Sequence, residues 1–225
     1  MPSALSDTLA LLPRRPLPLL PNRVYRVWRG GALLDRLQGA PEPTDGNFPE
    51  EWVGSTTVSR LPGRPPDEGL SRVALPDRSS ISLKELIAAF PRPMLGEAHA
   101  TRLGSELGVL CKLLDAAMRL PVQSHPDAAF ARRYLGSTFG KTEASLILAT
   151  RSIAGVAPYM LFGFRDGVKP EEFRRAVRDQ DIPAQIEALN RVEVKPGDVY
   201  VVPGGSTLAL GPGVFMIEIQ EPTDL

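Results

Sequence analysis

The chain is a succession of short apolar runs separated by turn-forming residues. LGVLCKLL, VQS, ASLILAT, PYMLFGF, DVYVVP, STLAL and VFMIEIQ follow one another across its second half. Runs of this length, bounded by turn signals, read as strands rather than helices. Most connections are too short for crossover helices, so the strands are expected to pair antiparallel, in a barrel or sandwich. KPGD at Lys195–Asp198 and PGG at Pro203–Gly205 read as tight turns bracketing one strand.

The first half is less regular. Val24–Trp28 (VYRVW), closed by Gly30-Gly31, reads as a strand, and Trp52–Val58 as a second. Arg60–Asp77 is dense in Pro, Gly and Asp and is expected to be an exposed loop. Ser82 and Glu85 have capping-box spacing ahead of LIAAF, which predicts a short helix. Pro93–Gly108 is open between helix and loop. Further helices are expected at Asp127–Tyr134, Lys169–Arg178 and Ile182–Leu189. The resulting fold class is mainly β, with few helices.

Length and charge narrow the partners. At 225 residues the chain suits one main domain, expected over 23–225 with an insertion at about 60–107 and a loosely ordered leader at 1–22. Acidic and basic residues balance at 26 each, so no global field draws the protein to nucleic acid or to an anionic membrane. The single cysteine, Cys111, has no internal disulfide partner; its apolar neighbours suggest a buried thiol in a reducing compartment. Arg14 and Arg15 fall in the middle of the apolar leader and prolines interrupt it, so it reads as neither signal peptide nor membrane span. The expected location is the cytoplasm.

Candidate chemistry centres on LPVQSHPDAAFA, which contains one of only two histidines. Gln123 and His125, one residue apart, would project to the same face of a strand. Glu143 lies eighteen positions beyond His125, at the start of another strand, where it could converge with them. An imidazole, a carboxylate and an amide oxygen can hold zinc or another borderline divalent ion. The competing reading makes Gln123 and His125 hydrogen-bonded residues near a strand end and Glu143 a surface acid, and spacing leaves both open. Gly140-Lys141-Thr142 lacks the upstream glycines of a phosphate-binding loop, which argues against a nucleotide site.

FPEEWVGSTTVS, LGVLCKLLDA, LPVQSHPDAAFA, GKTEASLIL and VKPGDVYVVPGGSTLALGPGVFMIEIQEPTD, taken in this order, resemble the successive blocks of class I mannose-6-phosphate isomerases. The resemblance runs from about Val24 to Leu225. It implies a cupin jelly roll with a catalytic zinc in its mouth. The family's metal ligands fall on Gln123, His125 and Glu143, and a fourth, a histidine, falls where this chain has Leu208. A metal lacking that ligand is expected to bind more weakly, since amide oxygen is a poorer donor than imidazole. The other histidine, His99, matches no ligand block and is expected on the surface or in helix packing. Other active-site positions carry over to Glu50, Lys112, Lys141 and Glu218. Pro121 stands where similar enzymes have a serine associated with the substrate's phosphate.

The resemblance implies metal-dependent interconversion of mannose-6-phosphate and fructose-6-phosphate, or of a closely related sugar. Lys141 would assist electrostatically, and Glu218 or Glu50 would move the proton. The alternative is a catalytically impaired cupin that binds a sugar or sugar phosphate as a sensor or accessory module. Leu208 and Pro121 favour that alternative, and the four retained charged positions favour the enzyme. The partner in either case is a small sugar phosphate. A barrel with an exposed edge could also dimerise through it, though no signature decides.

Overall fold

Two antiparallel sheets face each other across the apolar runs. The molecule is a computed structural model, which describes Leu12 and residues 16–225. The larger sheet contains β1 (Arg23–Val24), β2 (Glu50–Val53), β5 (Leu110–Ala116), β7 (Glu143–Thr150), β10 (Val199–Val202) and β12 (Val214–Gln220) in the order β1-β2-β5-β12-β7-β10. The smaller contains β6 (Gln123–Ser124), β8 (Tyr159–Phe164), β9 (Leu189–Glu193) and β11 (Thr207–Leu210) in the order β6-β11-β8-β9. Every pair in both sheets is antiparallel. This is the cupin jelly roll that the resemblance implies.

Alternation along the strands builds both the core and the cavity. On β5, Lys112, Leu114 and Ala116 share the inner face, and on β12 Glu218, Met216 and Val214 do. Register pairs them across the sheet: Lys112 with Glu218, Leu114 with Met216, Ala116 with Val214. One end of the sandwich is therefore charged inside while the other is apolar. There Leu114, Ala116, Ile147, Leu210, Val214 and Met216 form the main core.

Several elements differ from the sequence reading. The strand expected over Val24–Trp28 pairs only at Arg23–Val24, and that expected over Trp52–Val58 is Glu50–Val53. The expected loop of 60–77 contains β3 (Arg72–Ala74), which pairs with β4 (Ser80–Ser82). Helix Leu83–Ala89 follows, but Ser82 makes no side-chain capping bond, so the capping-box spacing marked a real helix start without supplying its bond. The open stretch is helical at Pro91–Leu95 and Glu97–Leu103. Helix Ala32–Leu37 and strand β9 were not anticipated. Cys111 is half-buried, not buried, because it faces outward between inward-facing Leu110 and Lys112. Most of the expected leader lies outside the described residues; within it, Leu20 N–H donates to Arg72 O and Trp52 N–H donates to Asn22 O. Among the described residues no helix is long and apolar enough to cross a membrane.

Candidate active site

His125 lies just beyond β6 and is placed by two glycines rather than by that short strand. A Cβ at Gly140 would lie 2.7 Å from Pro126 O, and one at Gly204 would lie 2.8 Å from Asp127 Cα. No side chain fits either gap, so the glycines of GKTE and PGG allow those two turns to close on the Pro126-Asp127 segment. Backbone bonds then fasten the turns: Lys141 N–H donates to Pro126 O at 2.9 Å, and Gly205 N–H to His125 O at 2.7 Å. Lys141 and Glu143 are thus brought beside His125 from the far side of a helical segment, Ala128–Phe130 running into a π-helical turn at Ala131–Leu135.

The sequence-derived residues converge. Glu50, Lys112, Gln123, Lys141, Glu143 and Glu218 all line one cavity of about 190 Å³ at the charged end of the sandwich. His125 lies behind that wall, beside an apolar groove, with Nδ1 3.3 Å from Glu143 Oε2. Glu50, Lys112, His125, Lys141, Glu143 and Glu218 are each at most 8 % exposed, which removes the reading of Glu143 as a surface acid. His99 is outside the site, its Nε2 2.8 Å from Glu106 O. Pro121 is exposed and borders a separate open groove, which shares Gln123 with the cavity.

The carboxylates divide by their partners. Glu50 Oε2 accepts from Trp52 Nε1 at 2.7 Å and lies 3.0 Å from Arg26 Nε and 3.9 Å from Lys112 Nζ. Lys112 Nζ lies closer to Glu218, at 2.7 Å from Oε1. Burial opposes the charge on Lys112, but Glu218 and Glu50 outweigh it and hold its pKa above the ordinary lysine value. Lys141 shifts the other way: burial and the nearby Lys112 lower its pKa, and its Nζ donates to Leu225 O at 3.2 Å.

His125 and Glu143 have the character of ligands. Both ring nitrogens of His125 and Oε2 of Glu143 are buried without a hydrogen-bond partner, a costly arrangement unless a cation satisfies them. Burial, with Lys141 and Lys112, pushes His125 down to about 3, which keeps the imidazole neutral as metal ligation requires. Burial, then Glu218, raises Glu143 well above the carboxylate range, as expected of a carboxylate that lacks its counter-charge. Leu208 pairs in register with Gln123 and also lines the cavity. It brings a hydrocarbon where a fourth donor would stand. Among the described residues no three His, Cys, Asp or Glu side chains cluster as a metal site.

Arg26, Trp28 and Asp224 line the same cavity and escaped the sequence reading. Arg26 carried a signal: it is a lone cation among the apolar and aromatic residues of VYRVW, in a segment expected to be half-buried. Asp224 carried none.

No family model matches the chain. It is 36% identical over 121 residues to the probable mannose-6-phosphate isomerase GmuF of Bacillus subtilis, covering 54% of this chain and 36% of that one. To the mannose-6-phosphate isomerase ManA of the same organism it is 29% identical over 213 residues, covering 93% and 58%. A crystal structure of the Bacillus subtilis mannose 6-phosphate isomerase superposes with a TM-score of 0.68 at 28% identity, over 93% of this chain and 59% of that one. A zinc-bound holo mannose 6-phosphate isomerase shares the fold at 19% identity and a TM-score of 0.62, over 91% and 67%. By sequence and fold the chain is similar to mannose-6-phosphate isomerases, and it spans between about a third and three-fifths of the length of these two curated proteins.

Proposed function

We propose that the cavity is the site of a metal-dependent aldose–ketose isomerase acting on mannose-6-phosphate and fructose-6-phosphate, or on a closely related sugar, in cytoplasmic carbohydrate metabolism. The observation that carries this reading is the meeting of four acids and two lysines in one small cavity, beside unpartnered buried atoms of His125 and Glu143. Gln123, His125 and Glu143 would hold the ion, zinc or another divalent metal. Bound there, the ion would supply Lewis-acid stabilisation of negative charge on the sugar oxygens.

The protein's own groups supply the remainder. Isomerisation removes a proton from C2 of the aldose and returns one to C1, while the hydroxyl proton on O2 is exchanged for one on O1. Both acids are ion-paired, Glu218 to Lys112 at 2.7 Å, but Glu218 is the better proton carrier because Glu50 Oε2 is in addition engaged by the Trp52 donor and flanked by two cations. Glu50 instead fixes Lys112 and Arg26. Lys141, whose Nζ donates to Leu225 O and has no carboxylate side chain in contact, would face developing charge on oxygen once it turns to the substrate.

The test is conversion of mannose-6-phosphate to fructose-6-phosphate by the zinc-supplied chain. Turnover is expected, with loss on chelation and a decrease of about 10²–10⁴-fold in Glu218→Gln at unchanged zinc content. Tight binding of mannose-6-phosphate without turnover would instead favour the impaired cupin, the reading to which Leu208 points.

A further inference from the structure

The cavity is not yet complementary to a phosphorylated sugar, and the mismatch lies at Arg26. Its lining brings the cations Arg26, Lys112 and Lys141 together with the carboxylates Glu50, Glu143, Glu218 and Asp224. Fully ionised, these groups carry one net negative charge, and a divalent ion would make it one net positive. Withdrawing Asp224 makes it two, the complement of a phosphomonoester dianion.

The geometry at Asp224 points the same way. Arg26 Nη2 donates to Oδ1 at 2.9 Å and Nη1 to Oδ2 at 3.2 Å. That is the paired fork with which guanidinium takes a carboxylate or a phosphate alike. Asp224 belongs to the segment 221–225, which lies along the cavity; its Oδ2 also accepts from the Arg60 N–H at 2.8 Å, and the segment is fastened behind it by Glu221 N–H donating to Thr142 O and Thr223 Oγ1 donating to Gly140 O at 2.8 Å. Lys112 is committed to Glu218. Arg26 is therefore the cavity cation whose paired donors are matched to a tetrahedral oxyanion.

We propose that Arg26 takes the phosphate of the substrate, and that Asp224 is an internal anion occupying its fork until the phosphate displaces it. This rests on the isomerase reading of the same cavity. It makes Arg26 a specificity-determining residue: unphosphorylated sugars do not exchange with Asp224, whereas a phosphate monoester or inorganic phosphate does.

The molecule contains its own reporter. Arg26 Cζ lies 5.6 Å from the Trp28 ring centroid and 5.1 Å from that of Trp52, and these are the chain's only tryptophans. Tryptophan emission of the zinc-loaded full chain is followed during titration with mannose-6-phosphate, inorganic phosphate and mannose. A saturable change is expected with the first two and none with mannose. Asp224→Asn, which neutralises the competitor, should tighten phosphate binding by about tenfold, and Arg26→Lys, which keeps charge but loses the fork, should weaken it by about as much. Unchanged or weaker phosphate binding in Asp224→Asn overturns the proposal, even if Arg26→Lys fails to fold. Turnover assayed on the same samples separates the two readings. Isomerase activity whose KM ignores Arg26→Lys overturns this inference alone, whereas Arg26-dependent phosphate binding without turnover overturns the isomerase alone.

Discussion

Two arginines in this molecule each face two carboxylates, and they do opposite things. Arg151 donates to both oxygens of Asp45 and both of Asp115. Asp115 Oδ2 also accepts from the backbone of Gly31 and Leu33. Every carboxylate oxygen there is satisfied, and none of these residues lines a cavity described above. Arg26, between Glu50 and Asp224, borders the cavity, and close by stand His125 and Glu143 with unpartnered atoms. Lys112 and Asp115 sit three residues apart on β5 and face opposite sides of the sheet, one toward each network. Arg151 Nε is itself unpartnered, so buried charge with bonding capacity left over marks a site only where it borders a cavity.

The largest expected effect breaks the closed network. Asp115→Ala should cost about 2–4 kcal/mol of stability, read from denaturant midpoints, because it leaves two backbone donors without an acceptor and Arg151 with Asp45 alone, while the cavity keeps its shape. Next, Lys112→Met with Glu218→Leu sharpens the contrast. Replacing both partners of a buried pair by apolar groups is expected to restore most of the stability that either single change removes, yet turnover stays abolished. If turnover returns with stability, the pair is structural and the site lies elsewhere.

A third change acts on the metal. Leu208→His should raise zinc affinity about tenfold or more by adding an imidazole beside Gln123, measured by competition with a chromogenic chelator. A fourth acts through pH. Burial disfavours ionisation of Asp224, but Arg26 and the Arg60 N–H outweigh it, so its pKa lies below the ordinary 3.8. A depressed carboxylate stabilises the fold above its unfolded pKa, and that contribution disappears as pH falls through the folded value. Tryptophan emission should therefore change below about pH 3.8, and Asp224→Asn should remove that step. The smallest effect is His99→Ala, expected within about 0.5 kcal/mol and without change in zinc content.

What could be read in advance follows from what is local. β5, β7 and β12 are legible because each is a short apolar run set off by turn-forming residues. β9, LNRVE, is hidden because it lies half exposed with polar residues on it, and β3 because its pairing with β4 was masked by the Pro- and Gly-rich residues before it. In the site, the cavity placements of Glu50, Lys112, Gln123, Lys141, Glu143 and Glu218 follow motif order, since each sits on or beside a strand that the motif itself builds. The Arg26–Asp224 pair joins residues 198 positions apart, and no local pattern encodes such a contact.

Zinc stoichiometry is the most direct measurement of the central claim that Gln123, His125 and Glu143 enclose one cation. Equilibrium dialysis followed by elemental analysis should find one ion per wild-type chain, and essentially none in His125→Ala or Glu143→Ala at the same free zinc. Full retention of the ion by both variants would contradict the account.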